Sequence, residues 1–324
     1  MSAASAARTL RVGTRGSALA VAQTTVVANA IARATGQDVE LVTVTTQGDT
    51  SRESLASLGG TGVFASALRD SLLASECDLI VHSLKDLPTG AHPGLVIGAV
   101  PRRADARDAL CADDGMTLDL LPEGARVGTG SPRRVAQLLA RRPDLEITDL
   151  RGNVDTRLGR VADGDLDAVV LAAAGLERLA RDDAITEYFT LSDVPTAPGQ
   201  GALAIEVRAG DERGSGALAK ALATINHVTT HAAVLAEREV LAGLEAGCAA
   251  PIGAHAQIDD GLFFLTATVY RPDGTEQLTS SHAATPDGMN ARDLEVAGRD
   301  VARRVVAELL AAGAADLAPL GGAR

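Results

Sequence analysis

The chain has 324 residues, 46% of them hydrophobic, and a formal net charge of −12 at pH 7. This length allows two or three domains with their own cores, and the hydrophobic content argues against intrinsic disorder. The acidic balance disfavours nucleic acid or an anionic membrane as a general partner, because both bind basic surfaces.

The sequence has the features of a cytoplasmic protein. Its apolar stretches stay far below the roughly 20 residues of a membrane-spanning helix, and residues 1–11 lack the apolar core of a secretory signal. Cys77, Cys111 and Cys248 are odd in number and widely spaced, which predicts reduced thiols and neither a disulfide framework nor a CxxC metal site. The histidines are equally scattered, so we expect no metal centre.

Strands and helices alternate in the first hundred residues. A strand over residues 10–12, a glycine turn over 13–17 and a helix over 18–33 form an arrangement that suits an anion. Further elements are expected as strands at 39–46, 79–81 and 95–100 and as an amphipathic helix ending near Glu76.

The strand at 79–81 ends in His82-Ser83-Leu84-Lys85-Asp86-Leu87-Pro88. Ligands of α/β proteins collect at the carboxyl ends of parallel strands, so Lys85 and Asp86 are candidates for chemistry. The alternative is a solvated turn, in which Asp86 bonds nearby backbone and Pro88 fixes the exit.

The αβ alternation breaks at residues 101–108, a predicted domain crossing, and then resumes. Ser131 is expected to cap a helix that begins at Pro132, and Asn153 to cap the next one. A second crossing is expected at residues 195–201. The remaining elements of this region are predicted as strands at 126–129, 147–150, 167–171 and 202–207.

The last third indicates a small antiparallel α+β module. A helix over 229–244 leads into an irregular loop that contains Cys248. Two strands flank the Asp260-Gly261 turn, and a final helix covers about 291–312.

Basic residues concentrate between positions 126 and 160, where eight arginines stand against four acidic residues, a local balance of +4. Arg133 and Arg134 fall in the first turn of a helix, where positive charge opposes the helix dipole, so we expect an anion between them. Any single arginine is more ordinarily a solvated surface residue. The strand-to-helix positions of Arg15, Arg133, Arg134, Arg151 and Arg157 nevertheless predict a ligand with several carboxylates.

Other chemistries find little support. The glycines at 128 and 130 lack the third glycine of a dinucleotide loop, and no phosphate-binding glycine loop precedes Lys85. Cys248 has two interpretations, a small buried hydrophobic residue or a thiol that reacts once with a strong electrophile as an attachment point.

Six motifs in the same order resemble those of the porphobilinogen deaminase, or hydroxymethylbilane synthase, family of tetrapyrrole biosynthesis. The resemblance extends from about residue 10 to the last helix. The motifs are Arg11-Val12-Gly13-Thr14-Arg15-Gly16-Ser17, the His82–Pro88 stretch, Val127-Gly128-Thr129-Gly130-Ser131-Pro132-Arg133-Arg134, Arg151-Gly152-Asn153-Val154-Asp155-Thr156-Arg157, Gly199-Gln200-Gly201, and Cys248 with Pro251-Ile252-Gly253.

The resemblance implies an α/β fold with two periplasmic-binding-protein-like αβ domains around a cleft and a small C-terminal α+β domain. The expected boundaries are 1–104 with 202–224, then 105–201, then 225–324. It also implies a monomeric transferase that deaminates four porphobilinogen molecules in turn. These would be condensed on a dipyrromethane cofactor held by a thioether to Cys248, and hydroxymethylbilane would be released by hydrolysis.

Roles for individual residues follow from the same resemblance. Asp86 would be the catalytic carboxylate that stabilises the cation left when ammonia departs. Cofactor and substrate would be bound by Arg15, Ser17, Ser83, Lys85, Thr129, Ser131, Arg133, Arg134, Arg151, Arg157, Arg178 and Gln200.

Three positions depart from the family pattern, namely Gln47, Thr61 and Gly130, and residues 48–62 are expected to form a lid. Two other functions remain open at this stage. One is a two-lobed organic-anion-binding protein without turnover, which would more ordinarily carry a signal peptide. The other is an arginine-rich regulatory ligand-binding domain.

Overall fold

The computed structural model describes residues 9–45, 62–247, 250–318 and 320, with only the backbone of 62–64. The described strands are β1 Leu10–Arg15, β2 Val39–Val44, β3 Leu79–Ser83, β4 Leu95–Ala99, β5 Asp108–Ala112, β6 Arg126–Gly128, β7 Glu146–Thr148, β8 Ala168–Ala172, β9 Glu187–Tyr188, β10 Leu203–Arg208, β11 Ile252–Asp259, β12 Leu262–Tyr270 and β13 Gln277–Ala284. The described α-helices are α1 Ala18–Thr35, α2 Gly62–Leu73, α3 Pro132–Arg141, α4 Val154–Ala162, α5 Ala173–Arg178, α6 Ala217–Ile225, α7 Val228–Gly243, α8 Ala291–Ala311 and α9 Ala314–Leu317.

The chain divides into two compact units. The first unit comprises Met1–Arg103 and Ala202–His231, and the second comprises Ala104–Gly201 and Ala232–Arg324. Each unit is therefore assembled from two separate stretches of sequence. Within the described ranges no helix is both long enough and apolar enough to cross a membrane.

The first unit is built on a five-stranded sheet in the order β2-β1-β3-β10-β4. β1 runs parallel to β2 and β3, whereas β10 is antiparallel to both of its neighbours. Successive residues of β3 point to opposite faces. Leu79 shares a core with Ile31 of α1 and Leu222 of α6, while Ile80 packs with Leu68 of α2. β3 and β10, at the centre of the sheet, are almost fully buried, whereas β2 at its edge keeps exposed residues.

The second unit contains a sheet of the same plan, in the order β7-β6-β8-β5-β9. β6 is parallel to β7 and β8, and β5 is antiparallel to β8 and β9. In each sheet the antiparallel strand is the one that directly follows a crossing between the units. The chain thus repeats one topology without a recognisable repeat in sequence.

The C-terminal module lies in the second unit and is a three-stranded antiparallel sheet, β11-β12-β13, covered by α8. Asp260 and Gly261 both have positive φ, at 49° and 74°, as a two-residue hairpin turn requires. A Cβ on Gly298 of α8 would lie 3.0 Å from Phe263, so glycine allows the helix to approach the sheet closely.

Local sequence determines where several helices begin. The Ser131 hydroxyl and the Asn153 amide oxygen accept hydrogen bonds from Arg134 N and Thr156 N, as predicted for caps of α3 and α4. Ser17 caps α1 in the same way, by accepting from Ala20 N. The predicted fold class, two αβ sheets followed by an α+β module, is confirmed.

Several described elements were not predicted, namely β5, β9, β13, α6 and α9. β5 begins at Asp108, where the sequence indicated only a crossing, because its short run of Ala, Leu and Cys stands between an arginine-rich and an acidic stretch. α6 is rich in alanine, and its packing against α1 gives it stability that sequence pattern does not show.

Candidate active site

The first unit collects five predicted site residues at one edge of its sheet. β1 and β3 are parallel neighbours, so their carboxyl ends lie side by side. The five residues at or just beyond these ends are Arg15, Ser17, Ser83, Lys85 and Asp86.

The segment after β3 is a single 3-10 turn, Leu84–Asp86, fixed by the leucines on either side of the charged pair. Leu84 is buried and donates its N–H to Ala202 O at 3.0 Å, and Leu87 is buried and donates to Leu84 O at 3.1 Å. Lys85 is half-buried, whereas Asp86 is exposed. Buried neighbours thus hold an accessible carboxylate in a defined place.

A buried ionic cluster lies under this turn. Arg69 of α2 forms two hydrogen bonds with Glu206 of β10, at 2.9 and 2.8 Å. His82 Nε2, one residue before Ser83, lies 3.3 Å from the same carboxylate. Burial raises the pKa of Glu206, but His82 and Arg69 together lower it to about 2. The cluster was not predicted from the sequence, because its members lie on three separate elements.

The second unit gathers its polar residues at the corresponding edge. β6, β7 and β8 are parallel, and Thr129 and Ser131 follow β6, while Arg151 follows β7. The Thr129 hydroxyl accepts a hydrogen bond from Ser131 N at 3.3 Å. A Cβ on Gly130 would lie only 2.7 Å from Leu150 O, so a serine there would force two strand ends apart. Glycine at position 130, which differs from the family pattern, therefore fits the close approach of the backbone here.

The anion expected between Arg133 and Arg134 is present, and it belongs to the protein. Asp108 is fully buried; its Oδ1 accepts a hydrogen bond from Arg134 Nη2 at 2.6 Å, and its Oδ2 lies 2.8 Å from Arg133 Nη1. Burial would raise the pKa of Asp108, but the two guanidinium charges and hydrogen bonds from Arg134 and Gln200 lower it well below its ordinary value. The expected anion between Arg133 and Arg134 is therefore the side chain of Asp108, where the sequence had suggested a ligand.

The cluster still carries positive charge. Two guanidinium groups meet one carboxylate, and the buried Nε atoms of Arg133 and Arg134 have no hydrogen-bond partner within the part of the chain described. Asp108 was not predicted as a site residue, because its position was assigned to the crossing. The sequence feature that could have indicated its role is an acidic residue directly before the apolar residues 109–112.

Further arginines converge on the same edge. Burial lowers the pKa of Arg157, and the neighbouring charges of Arg134 and Arg151 lower it further, so these three guanidinium groups lie within electrostatic reach of one another. Arg157 Nε donates to Gly152 O at 2.9 Å, and exposed Arg151 lies 3.5 Å from the carboxylate of Asp149. Such a concentration of guanidinium groups suits a ligand with several carboxylates.

Arg178 and Gln200 contact the crossing segments. Arg178 Nη2 donates to Gly201 O at 2.6 Å, and burial lowers the pKa of this arginine. Gln200 Nε2 donates to Ala106 O and to Asp108, each at 2.8 Å. Gly201 has φ +82°, and a Cβ there would lie 2.8 Å from Ala104 O. Residues 104–108 and 199–201 are thus held side by side in the second unit.

Cys248, Gln47, Thr61 and the expected lid up to residue 61 lie outside the described residues. Cys77 and Cys111 are free and buried, and burial raises the pKa of Cys111 to about 12. Neither described thiol is therefore a nucleophile at neutral pH. In the described ranges no group of three or more His, Cys, Asp or Glu side chains could hold a metal ion.

Comparison with known proteins gives consistent matches. Residues 10–215 match the family model described as porphobilinogen deaminase, dipyromethane cofactor binding domain, and residues 231–306 match that of the porphobilinogen deaminase C-terminal domain. The porphobilinogen deaminase of Leifsonia xyli is 74% identical over 315 residues, covering 97% of this chain and 96% of that protein. That of Thermobifida fusca is 52% identical over 286 residues, covering 87% and 88%. Among solved structures, the methionine binding protein MetQ is similar with a TM-score of 0.44 and 13% identity, over 67% of this chain and 89% of that one.

Proposed function

Because the chain belongs to the porphobilinogen deaminase family, we propose that the strand-end cluster of the second unit binds the cofactor and that of the first unit binds and deaminates the substrate. The enzyme is a hydroxymethylbilane synthase, a transferase that deaminates porphobilinogen and condenses four such units using a dipyrromethane cofactor. This membership decides against the two alternatives without turnover that the sequence left open.

The second unit has a donor set that fits dipyrromethane. This group carries acetate and propionate carboxylates, and guanidinium groups bind carboxylates through paired hydrogen bonds. The buried Nε atoms of Arg133 and Arg134 have no hydrogen-bond partner among the described residues, and Arg151 and Arg157 add charge nearby. We assign the binding of its carboxylates to these four arginines and Arg178, with Thr129 and Ser131 as hydroxyl partners and Gln200 as a support for the crossing.

We propose that Cys248 carries the cofactor through a thioether bond. When bound, dipyrromethane supplies the free pyrrole carbon to which the first substrate unit is joined. The glycine- and proline-rich sequence around Cys248 and its position within residues 231–306, which match the C-terminal domain model, support this assignment. Cys77 and Cys111 are buried, so Cys248 is the better candidate for the attachment of the cofactor.

Asp86 is proposed to be the catalytic carboxylate. Loss of ammonia from porphobilinogen breaks a C–N bond and leaves a cationic methylene-pyrrolenine, which a fixed negative charge stabilises. The exposed carboxylate of Asp86 can also accept a hydrogen bond from the pyrrole N–H and take part in proton transfer. Lys85 and Arg15 would bind substrate carboxylates, with Ser17 and Ser83 as hydrogen-bonding partners. The single observation that carries this assignment is the accessible carboxylate held between buried leucines.

We further propose a cytoplasmic monomer with three domains, residues 1–104 with 202–224, 105–201 and 225–324. Free thiols at Cys77 and Cys111 support a reducing compartment. The three separate sheets support the division into three domains.

The attachment is tested by intact-mass spectrometry of the purified enzyme. We expect a covalent adduct of two pyrrole units on the wild-type chain and its loss in Cys248→Ser. Cys111→Ser is the matched control and should keep the adduct, since that thiol is buried. Active wild-type enzyme with an unmodified mass would refute the assignment.

The role of Asp86 is tested by Asp86→Asn, which is nearly isosteric but removes the charge. We expect turnover to fall on the order of 10²–10³-fold, as for other groups that stabilise transition-state charge, with the adduct and fold retained. Asp70→Asn, an exposed position on α2, is the control. A near-normal rate in Asp86→Asn would remove this residue from its proposed role.

A further inference from the structure

Gln137 is the centre of a buried polar network under α3. Its Oε1 accepts a hydrogen bond from Arg133 Nη1 at 2.7 Å. Its Nε2 donates to Pro195 O at 2.8 Å and to the Tyr270 hydroxyl at 3.1 Å. Gln137 is 4% exposed, Arg133 3% and Tyr270 2%. The network therefore joins an arginine of the proposed cofactor site to the C-terminal module through side chains that are almost fully buried.

Tyr270 also contacts the backbone that follows Cys248. Its N–H donates to Pro251 O at 3.0 Å, only three positions beyond the cysteine. Tyr270 is the last residue of β12, and the preceding Val269 pairs with Ile252 at the start of β11. One tyrosine thus contacts α3 through its side chain and residue 251 through its main chain.

Backbone contacts fix the same module beside α3 and the crossing segment. A Cβ on Gly274 would lie 2.6 Å from Ala136 O, and one on Gly253 would lie 2.5 Å from Pro195 O. Ala254 N donates to Thr196 O at 2.9 Å. These close approaches leave little freedom for sliding, so the polar network selects one arrangement.

We propose that Gln137 and Tyr270 are positioning residues that fix the chain after Cys248 relative to Arg133. A dipyrromethane attached to Cys248 would then meet the arginines of α3 without a search for the correct arrangement. This inference rests on the proposed attachment at Cys248. Burial raises the pKa of Tyr270, which keeps its phenol neutral and able to serve as a hydrogen-bond partner.

The test follows the loading of the cofactor. Full-length enzyme is produced without the adduct, porphobilinogen is added, and intact mass gives the rate at which two pyrrole units attach. Tyr270→Phe removes one hydroxyl and keeps the ring, and Tyr188→Phe is a matched control because Tyr188 is partly exposed and its ring packs against the Arg107 guanidinium. These are the only two tyrosines in the chain.

We expect Tyr270→Phe to load about fivefold more slowly, the change that corresponds to ~1 kcal/mol for one neutral hydrogen bond, while Tyr188→Phe loads as wild type does. Gln137→Met should be at least as slow, and the double variant no slower than Gln137→Met, because both act through one contact. Loading at the wild-type rate in folded Tyr270→Phe would overturn the inference. If that variant does not fold, Gln137→Met decides by the same criterion. A wild-type chain that takes up no adduct would instead refute the attachment itself.

Discussion

Replacement of Asp108 by asparagine tests how the second unit tolerates two buried arginines. The side chain of Asp108 is fully buried, and those of Arg133 and Arg134 are 3% and 8% exposed. Asparagine preserves the shape of the side chain but removes the negative charge. Two adjacent guanidinium groups would then remain in the interior without their counterion.

The size of the effect follows from this geometry. Charges about 4 Å apart interact with roughly 4 kcal/mol at an effective dielectric constant near 20, and removal of one partner from a buried ion pair costs about 3–5 kcal/mol. We expect Asp108→Asn to lower the free energy of unfolding by that amount. For a unit of this size the melting midpoint would fall by roughly 6–20 °C.

The stability difference should depend on pH. The arginines hold the pKa of Asp108 below its unfolded value of about 3.9. Stability from this carboxylate is therefore fully present above about pH 4 and is lost as the pH falls toward the folded-state pKa. The gap between wild type and Asp108→Asn should be widest at neutral pH and should narrow on acidification below about pH 4.

Urea and thermal unfolding followed by circular dichroism provide the assay. Asp144→Asn is the control, because Asp144 forms a comparable pair with Arg142 at 2.6 Å on a partly exposed surface. We expect a much smaller shift for this control, since solvent screens the pair. Equal shifts for the two variants, or an Asp108→Asn midpoint within experimental error of wild type, would refute the reasoning.

Two further predictions concern the first unit and the crossing. Glu206→Gln should cost about 3 kcal/mol of unfolding free energy, because it leaves buried Arg69 without its carboxylate. The variant should also lack the part of the stability that wild type loses as the pH falls from about 4 to about 2. A urea midpoint that does not change with this substitution would contradict the assignment. Gly201→Ala should lower the melting midpoint more than Gly210→Ala, because both have positive φ but only Gly201 has a carbonyl oxygen within 2.8 Å of the added Cβ. Equal midpoints would show that the two crossing segments can separate at little cost.

Local signals in the sequence were sufficient for much of the fold. Ser131 and Asn153 cap the helices that they were expected to cap, and the strand ends bearing Arg151 and Asp86 lie at sheet edges as predicted. Such features depend on residues within one turn of each other. The spacing of apolar residues and the capping side chains therefore record them directly.

The partners of the buried charges were not predictable in this way. Arg134 meets Asp108 across 26 positions, Arg69 meets Glu206 across 137, and Gln137 meets Tyr270 across 133. Only the tertiary fold brings these residues together, and each alone resembles an ordinary surface residue in sequence. The sequence correctly indicated that Arg133 and Arg134 need an anion, but it could not show that the protein provides one.

The placement of β10 has a consequence for the order in which the protein can fold during synthesis. β4 pairs only with β10 among the described strands, and β10 lies beyond the whole 104–201 stretch. A ribosome must therefore deliver that entire stretch before the first sheet can be completed, while β2, β1 and β3 can already pair. In the interval both edges of β4 and the β10-facing edge of β3 lack partners, and such edges are the kind of surface that chaperones must protect from aggregation. The first unit to begin folding thus waits for a strand that is made after the second sheet.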